Sequence, residues 1–156
     1  MPSKAATVTI DTVDTSGNVI FTLRNFTSRP ICTSNAAIGT MEGESALRLR
    51  NSTGNAFPIA HDWFDEAGRE IEKIVIAAES NASFLVNAYD DFSVEDEGSH
   101  EVSVNLAVWD CCSDVPAYTT YNHEEEWGPG YLKEAGVRFV ESQPILITLS
   151  PEKNRH

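Results

Sequence analysis

Apolar side chains recur at every second position through most of this chain, a period that a β-strand, and not a helix, gathers onto one face. The run "NVIFTLRN" sets Val19, Phe21 and Leu23 on one side and Ile20, Thr22 and Arg24 on the other. "ALRLRN" turns Leu47 and Leu49 inward with Arg48 and Arg50 facing water, and "HEVSVNLAVW" aligns Val102, Val104, Leu106 and Val108 against Glu101, Ser103, Asn105 and Ala107. "PILITLS" repeats the pattern with Ile145, Ile147 and Leu149. Further strands are expected in "ATVTID", "REIEKIVIAA" and "SFLVNAYD", and turn-forming clusters such as "DTSGN", "NSTGNAF" and "DEAGRE" separate the runs. About 7–8 short strands with turns between them predict an all-β chain folded as an antiparallel β-sandwich. Its 156 residues suit one domain, 1–156, with no repeat or linker.

Topology is suggested by "DEGSHEVSV". It resembles the Asp-x-Gly-x-Tyr-x-Cys pattern that leads into strand F of immunoglobulin-like domains, with Asp96 and Gly98 in place, His100 at the tyrosine position and Val102 at the cysteine position. The physical sense is a tight turn, a ring that hydrogen-bonds back to the corner, and an inward aliphatic two residues on. His100 is therefore expected to be structural. If "RFVESQPILITLS" supplies the last strand, residues 110–137 form a long acidic and aromatic loop between the last two strands, far beyond the usual hairpin connection of about two to five residues. Tyr118, Tyr121, Trp127 and Tyr131 in that loop argue against simple disorder.

The net charge is −13, and it is uneven. Residues 1–78 carry nine acids and seven bases, net −2, whereas residues 79–156 carry fifteen acids and four bases, net −11. Such a surface repels phosphate, so nucleic acid and anionic membrane are poor partners. No apolar run reaches the length of a membrane span, and "MPSKAATVTIDTV" has no apolar core of signal-peptide length. Three cysteines, Cys32, Cys111 and Cys112, are odd in number and too few for a disulfide framework, which fits a reduced cytoplasmic protein. Three glycosylation triplets, at Asn25, Asn51 and Asn81, carry little weight in that setting.

Chemistry-bearing residues are plentiful, but their spacing is wrong for most chemistry. Cys111, Cys112, His123 and Glu124–Glu126 offer metal ligands, yet adjacent cysteines on an extended backbone point to opposite faces and lack the Cys-x-x-Cys geometry of zinc sites. One cysteine is expected to pack inward and the other to face solvent. "DDFSVEDEG" lacks the order of a calcium loop and reads as a solvated connection. No nucleophile elbow, phosphate-binding glycine loop or cysteine-histidine signature occurs, so neither an enzyme nor a cofactor or metal site is expected.

The segments "GNVIFTLRNFTSRPI", "IGTMEGESALRLRNSTGNAFPI" and "FLVNAYDDFSVEDEGSHEVSV" together resemble the propeptide-like domain of deuterolysin-type fungal metalloendopeptidases. The likeness covers residues 18 to about 106 and carries no His-Glu-x-x-His zinc motif. It implies an immunoglobulin-like fold whose relatives shield or chaperone a protease, with inhibition carried by analogy.

Binding is the expectation that the residues support best. Sandwich loops cluster at two ends, and Trp and Tyr give large contact area at low entropy cost. Trp109, Asp110, Tyr118, Tyr121, His123, Glu125, Trp127 and Tyr131 are the candidate contact residues for a protein partner, a proteinase being the most specific version. A cytoplasmic fungal-type lectin that stacks a glycan on Trp109, Trp127 or a tyrosine is the alternative, and a homodimer contact made by the same loop is the third reading. Trp63 and Phe64 in "PIAHDWFDEAG" read as sheet-packing residues.

Overall fold

The period-two runs become two antiparallel sheets packed face to face. The structure is a computed structural model that describes residues 5–34, 38, 46–51, 54–55, 73–92, 94, 97–113 and 136–151. In chain order the strands are β1 (Ala6–Val13), β2 (Asn18–Asn25), β3 (Ile31–Ser34), β4 (Leu47–Asn51), β5 (Gly54–Asn55), β6 (Lys73–Ile76), β7 (Asn81–Asn87), β8 (Gly98–Asp110), β9 (Arg138–Glu141) and β10 (Ile145–Leu149). One helical turn, α1 (Ala88–Asp91), lies between β7 and β8. The smaller sheet has the order β1-β2-β7, and all the remaining strands belong to the larger one. The expected antiparallel β-sandwich is thus the observed architecture.

The larger sheet is laid out along β8. Leu47–Arg50 of β4 pair with Val104–Glu101, and Ile31 and Cys32 of β3 pair with Asp110 and Trp109. The amide of Asn105 donates to Ala46 O at 2.7 Å, and that of Cys111 to Pro30 O at 3.4 Å. Alternate amides of a strand point the same way, so β3 and β4 follow one another along the same flank of β8. The opposite flank carries β9 against residues 105–108 and β10 against residues 98–102. Between these two, Ser142 fills the gap in the ladder. Its amide donates to Val104 O and its hydroxyl accepts from Val104 N, both at 2.8 Å.

The inward residues are those that alternation selects. Val19, Phe21 and Leu23 of β2 meet Leu47, Leu49, Val102, Val104, Leu106, Val108, Ile147 and Leu149 in one core. Full burial of each such side chain contributes about 1.5–3 kcal/mol. Phe21 also stacks on its cross-strand partner Phe84, with ring centroids 5.5 Å apart and planes tilted by 43°. The pattern fails at one end of β8, where Ala107 and Trp109, of opposite parity, are buried as well. That end of the strand is covered on both faces.

The connection from β7 to β8 differs from expectation. The strand in "SFLVNAYD" ends at Asn87, whose Oδ1 accepts the Tyr89 amide at 2.8 Å and so caps α1. Tyr89, Phe92 and Val94 are buried, so the segment packs apolar rings under the sandwich and is not merely solvated. The Tyr89 hydroxyl accepts the Ser150 amide at 2.8 Å, and its ring lies under Gly17, where an added Cβ would sit 2.5 Å away. Gly17 has φ +85°, so the β1–β2 turn requires glycine for both space and conformation. His100 is buried, and its Nδ1–H donates to Gly98 O at 2.9 Å, the back-bond expected of the ring at that position.

A polar hub closes the far end of β2. Asn25 is buried, and its Nδ2 donates to Arg29 O, Ile76 O and Ala77 O at 2.8, 3.2 and 3.1 Å. Its Oδ1 accepts from the Thr27 amide and hydroxyl at 2.9 and 2.7 Å. One side chain therefore ties the smaller sheet to β6 and to the turn that enters β3. Asn25→Ala removes a donor from the buried Ile76 carbonyl and the acceptor of the Thr27 amide, at about 1–3 kcal/mol for each group left dry, whereas Arg29 O keeps the Thr27 hydroxyl and Ala77 O keeps the Ser80 amide. We predict a loss of about 3 kcal/mol in urea unfolding, and a loss below about 1 kcal/mol would show that the hub contributes little.

Candidate functional site

The site is the end of β8 from which the long connection departs. Cys32 pairs with Trp109 across the strands, and Cys111 lies two residues beyond Trp109 on the same face. A disulfide joins Cys32 to Cys111, with Cα atoms 5.1 Å apart. The bridge is thus diagonal between neighbouring strands of one sheet, and it does not cross the core. Asp110 then ends the strand: its Oδ1 accepts the Cys112 amide at 2.8 Å and its carbonyl accepts the Ser113 amide at 2.9 Å. This Asx turn swings Cys112 outward, where its thiol is free and exposed.

Arg29 supplies the positive charge at this end. Its Nε lies 3.3 Å from Asp110 Oδ2, and both side chains are partly solvated, so the ion pair adds little to stability. A hydrogen bond to the Cys112 side chain and the charge of Asp110 hold the guanidinium above its usual pKa. The result is a small surface on which a cation, a carboxylate and a thiol adjoin a disulfide. No three His, Cys, Asp or Glu side chains among the described residues could hold a metal ion.

Of the candidate contact residues, the structure places two. Asp110 is half-exposed and engaged by Arg29. Trp109 is a correction: its ring is fully buried beside Cys32, because this end of β8 is covered on its outer face as well as on the face toward the core. It cannot offer a stacking face to a glycan or a partner, and its Nε1–H has no hydrogen-bond partner among the described residues. Tyr118, Tyr121, His123, Glu125, Trp127 and Tyr131 lie outside the described residues, as do Trp63 and Phe64.

The thiol state is a second correction. Two of the three cysteines expected to be reduced are bridged, because the β3–β8 register brings together residues 79 positions apart. Sequence reasoning passed over Arg29 as well. The signal available was "TSRPIC", a turn that leads directly into the cysteine-bearing strand.

No protein-family model matches the chain, and no curated protein matches it. Among solved structures, it is similar to WR4, a C. elegans member of the MSP family, at 11% identity and TM-score 0.32 over 90% of this chain and 97% of that one. It is also similar to the yjhA protein from Bacillus subtilis, at 13% identity and TM-score 0.34 over 92% of this chain and 95% of that one.

Closing a loop of 79 residues restricts the unfolded chain by about 4.5 kcal/mol in the chain-entropy account. Replacing Cys32 and Cys111 together by Ala is expected to lower unfolding free energy by about 3–5 kcal/mol, whereas Cys112→Ser unfolds like the parent. Denaturant melts with and without dithiothreitol test this; identical midpoints would contradict the bridge.

Proposed function

We propose that this chain is a non-catalytic recognition module that engages a protein partner through the connection between β8 and β9. The supporting observation is the stem of that connection. The chain leaves the sheet at Ser113 and is back at Gly136, where an added Cβ would lie 3.6 Å from Ser113 Oγ. The two residues that flank the 114–135 segment, Ser113 and Gly136, thus lie side by side, with Ser113 two residues beyond the bridged Cys111. A stem fixed in this way lowers the ordering cost of whatever the segment presents.

The segment's own chemistry sets the kind of partner. It contains Tyr118, Tyr121, Trp127 and Tyr131 with five acids, Asp114, Glu124, Glu125, Glu126 and Glu134, against one base, Lys133. Aromatic anchors with a negative surround suit a basic patch on a protein surface. A proteinase is the most specific partner class, and that choice rests on the resemblance to deuterolysin-type propeptide domains. The disulfide favours an oxidising compartment over the cytoplasm as the place of action.

The test replaces residues 114–135 with a short Gly-Ser linker, which the closeness of Ser113 and Gly136 permits. Against a panel of endoproteinases, the parent is expected to bind or inhibit at least one enzyme. The linker variant should keep its unfolding midpoint and lose that binding, and Trp127→Ala should weaken it by about 30-fold. No binding across the panel, or specific glycan binding abolished by Trp127→Ala, would overturn the proposal. A concentration-dependent dimer lost in the linker variant would do the same.

A further inference from the structure

We propose that Asn81 is an N-glycosylation site, carrying an oligosaccharide on the outer face of the smaller sheet. The chain holds three Asn-x-Ser/Thr triplets, and the fold separates them. Asn25 is closed: it is buried, its amide nitrogen donates to three carbonyls, and Thr27, the hydroxyl residue of its triplet, is bonded to its oxygen. A sugar on that nitrogen would displace the hub that joins the sheets. Asn51 closes β4, and its side chain lies outside those described.

Asn81 is open. It begins β7 immediately after the turn at Ala77–Ser80, in which Glu79 takes φ +57° and the Ser80 amide donates to Ala77 O at 3.2 Å. Its side chain is exposed and makes no hydrogen bond among the described residues; Ser83, two residues on, is exposed on the same face with its hydroxyl 2.9 Å from that of Thr22, a bond that leaves the Asn81 amide untouched. Strand β7 is also the edge of its sheet among the described strands, so nothing described flanks Asn81 on one side.

Two further observations bear on the modification. The Cys32–Cys111 bridge is the kind of bond that persists where such oligosaccharides are added, in an oxidising secretory compartment. The same outer face also carries an unprotected apolar pair. Leu85, 63% exposed, lies opposite Ile20, 38% exposed, in the β2–β7 ladder. It is four residues from Asn81, about 13 Å along the strand. A hydrated oligosaccharide at that distance screens the pair and blocks the edge of β7 from pairing with another copy.

The chemistry is a group transfer from a lipid pyrophosphate-linked oligosaccharide. The Asn81 Nδ2–C1 bond forms as the bond from C1 to the pyrophosphate oxygen breaks. The pyrophosphate leaves with the bonding electrons, and one Nδ2 proton passes to a base of the transferase.

The test is peptide mapping of the full chain isolated from the cells that produce it, after peptide-N-glycosidase treatment in heavy-oxygen water. Asn81 should be converted to heavy-labelled aspartate while the Asn25 peptide stays unlabelled. Expressed in the same cells, Asn81→Gln should lose the mass of one oligosaccharide and keep the parent's unfolding midpoint. An unmodified Asn81 peptide, label at Asn25, or equal masses for the parent and Asn81→Gln would each overturn the proposal.

Discussion

The hydrogen-bond ladder along β8 is the constraint on which the larger sheet depends. Its thirteen residues pair with β4 and β3 on one flank and with β10 and β9 on the other. A slip of one residue would turn Val102, Val104, Leu106 and Val108 out of the core together, so burial and register enforce each other. The flanks tolerate interruption because each half is registered independently on the same strand. Ser142 shows how: it answers both backbone groups of Val104 where β9 stops and before β10 begins.

That ladder also decides what can happen at its end. By placing Cys32 opposite Trp109, it brings Cys111 within bridging distance across neighbouring strands. The bridge then clamps the last residues of β8 to β3, and the Asp110 turn directs the chain outward from a fixed point. The contrast between a rigid stem and an acidic, aromatic segment is the physical basis of the recognition reading. Affinity gained through such a segment depends on how little freedom its anchors have to lose.

Much of the frame was legible in the sequence. Strong alternation identified β2, β4, β8 and β10 with the correct inward residues, because burial of one sheet face is a period-two signal written locally. What was illegible depends on contacts between distant residues. Cysteine pairing is spatial, so an odd count suggested reduced thiols where Cys32 and Cys111 are joined. Trp109 reads as a surface aromatic next to a loop, and only the covered outer face of β8 makes it core. Asn25 carries a glycosylation triplet in the sequence and a five-bond hub in the fold. The helical turn after Asn87 has a local cap, but the anchor that holds it, Tyr89 to Ser150, joins residues 61 positions apart, which no local pattern records.

The Cys32–Cys111 bridge clamps the end of β8 and leaves Cys112 as the free thiol. Alkylation of the folded protein without reductant, followed by digestion and mass spectrometry, tests it most directly. Label is expected on Cys112 only, with the Cys32 and Cys111 peptides recovered as one cross-linked species. Label on all three cysteines, or a bridge between Cys111 and Cys112, would contradict it.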